Sequence, residues 1–320
     1  LSEVFPPHCA CRDMGDFSNI MSTVTQALLQ SPPASQLLLY THGPFFSVPW
    51  RAPLNALVGS SYETAYLHFA RDHTDPTNLA LHVACLLLTL AANFAMLGAV
   101  EAKLKMRTAP LQFLTMTGWC AALALAPCPD RVKAGSVLLV VLGRNLGPRL
   151  LPDWTVAAWF QGAIAAGAVE FILLPEKGKD AGGLAFAGVL AAWTAVWLLL
   201  TKTRLRGALK TVSTPVCLAV LAAMVRLVTG TDPVRGGLYA FGNFAIWPLA
   251  LMVDEPWLFW VGAGFALATA QGVAHRLSGE ASTVEQLQTL GSHEKLPYEW
   301  GHHTFFPNLL LHALHDRFLK

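Results

Sequence analysis

Pro76-Thr-Asn-Leu-Ala-Leu-His-Val-Ala-Cys-Leu-Leu-Leu-Thr-Leu-Ala-Ala-Asn-Phe-Ala-Met-Leu-Gly-Ala-Val100 is the stretch that decides the class of this chain. From 78 to 100 it holds no Asp, Glu, Lys or Arg. About 20 such residues in a helix span a bilayer core of ~30 Å. Its start is marked as well: Asp75 is a good N-cap, and Pro76 suits the first helical position, where the missing N–H costs nothing. Upstream, Ser60-Ser-Tyr-Glu63 reads as a capping box that opens a helix running to about Asp72, with Tyr62, Tyr66 and Phe69 on one stripe.

Downstream the pattern repeats. Further apolar runs lie at 111–127, 134–146, 154–174, 184–200, 211–229, 237–253 and 257–275. With the run at 78–100 they predict an all-α polytopic transmembrane helix bundle of about eight spans, the short run at 134–146 being re-entrant or helped across by its flanks. Small residues, as in Gly162-Ala-Ile-Ala-Ala-Gly167, allow close helix approach. The expected organisation is an irregular N-terminal extramembrane segment over 1–60, the bundle over 61–275, and a polar, histidine-rich C-terminal tail over 276–320, broken at Pro297 and Pro307. A short amphipathic helix is expected over Pro307–Phe318. Eight spans place nine basic residues, from Lys103 to Lys210, in the loops of one side and six, from Arg131 to Arg235, on the other. The positive-inside rule then makes the first side cytoplasmic, stromal or matrix, with both termini opposite.

Composition agrees. Hydrophobic residues make up 54% and charged residues 13%, about half the ~25% of a soluble domain, too few to cover a compact chain of this length. Disordered chains, coiled coils and water-soluble doubly wound enzymes are excluded. Net charge is +2 with no basic block, so no nucleic-acid partner is expected. Membrane lipids are. The six cysteines form no CxxC pair, which argues against a zinc module or disulfide framework. The chain opens at Leu1 without a signal-peptide pattern. This points to loss of an organellar transit peptide, mitochondrial or plastid, with the endoplasmic reticulum as the alternative membrane.

Nine of the eleven histidines fall into two clusters, at 68–82 and 275–315. The first reads His73-Thr-Asp-Pro-Thr-Asn78-Leu-Ala-Leu-His82. Asn78 and His82 share one helix face, and an imidazole two turns inside an apolar helix is costly unless it meets a partner, a metal or water. The second begins Gln271-Gly-Val-Ala-His275, continues through Glu280 and ends in Glu299-Trp-Gly-His302-His303 and beyond. An even number of spans puts both clusters on one membrane face, where imidazoles and carboxylates can converge on one metal.

The pattern H-x-x-P-x-N-x-x-x-H, complete here as His73, Pro76, Asn78 and His82, resembles that of the 2-hydroxy fatty acid dioxygenases of phytosphingosine breakdown, a family of small multi-span membrane proteins. Gln271 to His275, followed by Glu280, is similar to the family's later Q-x-x-G-H and Glu, with Ala274 in place of the Gly and the Glu one position further on. Gly301-His302 before Pro307-Asn-Leu-Leu competes for the same element. The resemblance implies Fe(II) held by His73, His82 and His275, with His302 as substitute for His275, and Asn78 and Glu280 as supporting residues around the ligands. It implies oxidative removal of one carbon from a 2-hydroxy fatty acid with dioxygen. The family's chains are about half as long, and a weak echo (Thr74-Asp-Pro76 in Thr231-Asp-Pro233, Gln161-Gly to Glu170 in Gln271-Gly to Glu280) predicts a duplication in which each half kept one motif. The competing expectation is a non-catalytic accessory subunit of a large respiratory or photosynthetic organellar complex, with the other subunits as partners and the motif retained but inert. A channel is disfavoured because no charge sits mid-span.

Overall fold

The computed structural model of this chain describes residues 62–153, 246–253, 255–280 and 289–318. Among them every regular element is a helix: α1 (Tyr62–Asp72), α2 (Pro76–Lys103), α3 (Pro110–Leu125), α4 (Asp130–Leu146) with a 3-10 turn at Gly147–Arg149, α5 (Ile246–Val253), α6 (Pro256–Ser278) and α7 (Ser292–Phe318). The expected spans at 154–174, 184–200 and 211–229, most of 237–253, the segment 1–60 and one half of each internal echo lie outside these residues.

The predicted start of α2 is present. The Asp75 carboxylate accepts from Thr77 N at 2.8 Å and Asn78 N at 3.0 Å, with Pro76 next in line. α2 is the axis of the structure. α6 packs along it, α4 crosses it, and α7 lies over α1, α3 and α4. One core joins Phe69 of α1, Leu79, Leu86, Leu90 and Phe94 of α2, Trp119 and Leu123 of α3, Val140 of α4 and Phe306, Leu309 and Leu310 of α7. Each such side chain stabilises the fold by about 1.5–3 kcal/mol through area removed from water. A second core sets Phe259, Trp260, Ala266 and Leu267 of α6 on Ala92 and Ala95 of α2.

The α2–α4 crossing depends on two glycines. A Cβ on Gly143 would stand 2.5 Å from Leu90 Cβ, and one on Gly147 would stand 2.5 Å from Ala91 O, 2.8 Å from Ala95 N and 2.8 Å from Phe94 Cβ. The start of α3 has no side-chain cap of its own, since Ala109 sits at φ 46°. Instead the buried Glu101 carboxylate, on the last turn of α2, accepts from Gln112 N at 3.0 Å and Gln112 Nε2 at 2.6 Å. A negative group at that helix end satisfies donors with no intrahelical partner.

Two expectations are corrected. The eight-span bundle is not supported: among the described residues α2 is the one helix long and apolar enough to cross a membrane. The run at 111–127 yields a helix of 16 residues, about 24 Å long and short of the ~30 Å required. The run at 134–146 belongs to a helix that starts with Asp130, Arg131 and Lys133. With the count of spans unsupported, the assignment of loops to two sides loses its basis. The second correction concerns the C-terminal segment. Pro297 lies within a helix instead of ending one, whereas the expected break near Pro307 is present as a kink at Phe305 that divides α7 into two helical stretches, the second running to Phe318 as expected. Tyr298, Trp300, Phe306, Leu309 and Leu310 of α7 are buried. Proline lacks an N–H and presses on the carbonyl four residues back, and Phe305, just before Pro307, leaves helical geometry (φ −107°, ψ 16°). The kink is pinned from α3. Trp119 Nε1 donates to Thr304 O at 3.0 Å, and Asn308 Nδ2 donates to Leu123 O at 2.9 Å.

Candidate metal centre

His73 follows α1 directly. Its ring stacks on Phe69, centroids 3.8 Å apart, and Nδ1 lies 2.9 Å from the Phe69 carbonyl, closing the last turn. His82 sits in the second turn of α2, its Nδ1 2.9 Å from the Asn78 carbonyl. A carbonyl only accepts, so in both rings Nδ1 carries the proton and Nε2 is the lone-pair nitrogen. The Nε2 of His73 is buried with no hydrogen-bond partner. His275 arrives from the C-terminal end of α6. The three rings stand nearly perpendicular to one another, at 74–89°, with centroids 4.7 to 5.0 Å apart. All three are buried, at 0%, 2% and 2% exposure.

One ligand nitrogen from each of the three lies within 4.8 Å of the others, an arrangement able to hold a metal ion. Two nitrogens ~2.1 Å from one ion stand about 3–4 Å apart, a spacing close to the one these three rings already have. The donors fit the group: neutral imidazoles with the far nitrogen tied to backbone are the usual metal-binding form. They suit iron, zinc, copper and nickel alike. Burial, followed by the neighbouring His82, His275 and His302 rings, holds the His73 pKa well below the ordinary imidazole value, which keeps it neutral and available.

The end of α6 is shaped to bring in a carboxylate. Gly279 takes φ +72°, and Glu280 N returns to the His275 carbonyl at 3.0 Å. This is the turn that glycine makes after a helix without Cβ strain. It aims Glu280 at the loop between α1 and α2. Oε1 accepts from Thr74 N, from Thr74 Oγ1 at 2.7 Å and from Asp75 N at 2.8 Å, while Oε2 accepts from Asn78 Nδ2 at 2.6 Å. The same Nδ2 lies 3.4 Å from His275 Nδ1. Burial pushes the Glu280 carboxyl up, but the donors of Thr74, Asn78 and Asp75 outweigh it and hold the pKa below the usual range. A fixed negative charge therefore stands beside the three rings. Arg317 reaches the same loop from α7, Nη1 to Thr74 O at 3.1 Å.

Glutamine at 280 keeps the size but offers a single acceptor oxygen and opposes Asn78 with a second donor. Glu280→Gln is expected to weaken metal affinity by ~10–100-fold, the usual cost of losing a supporting partner. Competition with a chelating dye measures this, and an unchanged affinity would show that the latch does not support the centre.

Of the residues singled out from sequence, His73, His82 and His275 come together, and Asn78 and Glu280 bond around them. His302 stands beside this group but outside the three. It lies 5.8 Å from Phe69 and 5.1 Å from Phe306, the rings that flank His73 and His82. His312 and His315 lie further along α7 and face Tyr62, Tyr66 and Asp316. Gly279, Thr74 and the flanking Phe69 and Phe306 were not anticipated. The Ser-Gly pair closing an apolar helix was the available signal for the first. No family model, curated protein or solved structure matches this chain.

Proposed function

We propose that this chain is an iron-dependent dioxygenase acting on a 2-hydroxy fatty acid, working where α2 inserts into a membrane. The observation that carries the reading is the buried trio of His73, His82 and His275 with the proton of two rings tied to backbone carbonyls. The motif H-x-x-P-x-N-x-x-x-H on these residues supports the substrate class, and the apolar length of α2 supports the membrane. Iron, when bound, would supply a centre that binds and polarises both dioxygen and a 2-hydroxy carboxylate.

The protein's own contributions follow from the geometry. Three neutral nitrogens on one side of an ion leave its other side open, as catalytic centres require. They also leave the ion's positive charge largely uncompensated, which favours an anionic, chelating substrate over a neutral one. Glu280 offsets part of that charge and fixes the approach of the His73 loop. Phe69 and Phe306 exclude water from the rings. An acyl tail needs no pocket of its own if it stays in lipid beside α2.

The test is elemental analysis of the purified full-length chain, then incubation with a 2-hydroxy fatty acid under dioxygen. One iron per chain and a product one carbon shorter are expected. An iron-loaded protein that leaves the hydroxy acid intact would refute the substrate. A protein that takes up no iron would refute the centre. Stable co-migration with redox subunits and no turnover would favour the accessory-subunit reading instead.

A further inference from the structure

Away from the three histidines, α1 and α7 bring together groups that exchange protons. Tyr62, 4% exposed, holds its hydroxyl 3.0 Å from His312 Nδ1. His312 Nε2 lies 3.8 Å from Asp316 Oδ2. Tyr66 lies parallel to His312, centroids 3.9 Å apart, and donates its hydroxyl to Asp316 Oδ2 at 2.6 Å. His315 Nδ1 stands 3.3 Å from the other oxygen of Asp316. Cys128, in the turn before α4, places its thiol against the Tyr62 hydroxyl. Glu63 and Arg71 line a groove with Tyr62, Tyr66 and His312, and the Arg317 charge acts on Tyr66.

The direction of the chain of protons follows. Asp316 accepts from Tyr66 and faces His312 Nε2, so the His312 proton belongs on Nε2 and its lone pair on Nδ1. Tyr62 therefore donates to His312. Burial, then Cys128, Tyr66 and Asp316, push the Tyr62 phenol far above its ordinary value. The nitrogen base in contact with this hydroxyl is His312 Nδ1.

An aromatic path connects this phenol to the histidine trio. Tyr62 meets Phe305 at 5.6 Å; Phe306, the next residue, meets Phe69 at 5.8 Å; and Phe69 stacks on His73 at 3.8 Å. Along α1, Tyr62 and His73 are about 16 Å apart, from the helical rise.

We propose that Tyr62 is a redox-active tyrosine that discharges an over-oxidised centre at His73, His82 and His275 when dioxygen reacts without substrate. Its O–H bond breaks, the proton moves to His312 Nδ1, and one electron passes to the oxidised metal. A neutral phenoxyl radical remains, facing an imidazolium balanced by Asp316. A thiolate-class donor reaching the groove returns one electron and becomes a thiyl radical, while the proton comes back from His312 Nδ1, so that the phenol and the neutral imidazole are both restored. The oxidant in this step rests on the dioxygenase reading, whereas the tyrosine–histidine pair does not.

The experiment therefore supplies its own oxidant. Full-length protein, with and without metal, is photo-oxidised by a ruthenium polypyridyl complex with a sacrificial acceptor, frozen, and read by electron paramagnetic resonance. A tyrosyl signal is expected that disappears in Tyr62→Phe and persists in Tyr298→Phe. In His312→Gln its yield is expected to fall about tenfold, the worth of one charge-assisted hydrogen bond. Asp316→Asn, which keeps the base and removes its counter-charge, is expected to lower the yield as well. Helical circular dichroism and metal uptake of Tyr62→Phe at the parent level establish that the fold is intact. A signal that survives Tyr62→Phe overturns the proposal, as does a yield indifferent to both His312→Gln and Asp316→Asn. Failure in the metal-free protein condemns the tyrosine and leaves the dioxygenase reading standing. A clean Tyr62 radical in a protein that binds no iron does the reverse.

Discussion

His82→Ala is expected to abolish stable metal binding while leaving the helices in place. Two imidazoles would remain, on segments that meet only at the site, and a two-nitrogen sphere cannot hold an ion against solvent. The loss should exceed the ~100-fold that removal of a supporting residue causes. The helices should survive because the hydrogen bond of His82 is made within its own helix, to the Asn78 carbonyl, although truncating a buried ring lowers the metal-free melting point. A metal at one hundred times its Kd stabilises the protein that binds it by about 2.7 kcal/mol. The parent chain should therefore show a metal-dependent rise in melting temperature, measured against its own metal-free form, that His82→Ala lacks. His302→Ala is the companion. It should retain both the stoichiometry and the thermal shift, because His302 lies outside the trio. Equal losses in the two variants would make His302 a fourth ligand.

Gly147→Ala is expected to be among the most destabilising single-methyl additions in the described residues. The new Cβ would meet the Ala91 carbonyl at 2.5 Å, Ala95 N at 2.8 Å and Phe94 Cβ at 2.8 Å. Two of the three are backbone atoms of α2, which cannot swing aside as a side-chain tip can. The turn after α4 would have to lift off α2, opening the packing between Leu90 and Val140. Overpacking of this kind costs ~1–3 kcal/mol and occasionally more, and the backbone obstruction puts Gly147→Ala at the upper end. Gly272→Ala is the control. Nothing lies within 4 Å of its added methyl, so helix propensity alone predicts a gain of up to ~1 kcal/mol. Chemical denaturation of the two variants measures the contrast, and comparable midpoints would mean that the α2–α4 crossing yields freely.

The parts of the structure written locally were legible. Asp75-Pro76 announces the start of α2, the stripe of Tyr62, Tyr66 and Phe69 predicts the inward face of α1, and the spacing of Asn78 and His82 puts both on the face that receives His275. What was not legible depends on partners. An apolar run of given length does not say whether its surroundings are lipid or protein. Thus 111–127 and 134–146 read as spans, although Trp119, Leu123 and Val140 pack against one protein core. Pro297 reads as a break because a lone helix loses ~3 kcal/mol to it, whereas the break read at Pro307 is present as the kink at Phe305. The burial of Trp300, Phe306, Leu309 and Leu310, with the bonds from Trp119 and Asn308, outweighs that cost. The choice between His275 and His302 could not be made from spacing, since both follow a small residue. It is made by Gly279, whose left-handed backbone returns Glu280 to the first motif.

Asn78 and His275 touch although they stand 197 positions apart in the chain. A ribosome must therefore release the chain through His275 before the ion has a place to go, and loading cannot precede the synthesis of α6. Once seated, the ion ties one end of that long excursion to the other. The entropy of closing a loop rises with its length, so the cation takes on the part that a disulfide plays in a secreted protein. Withholding the metal that such a centre can hold would then be felt as slower maturation and faster turnover of the polypeptide.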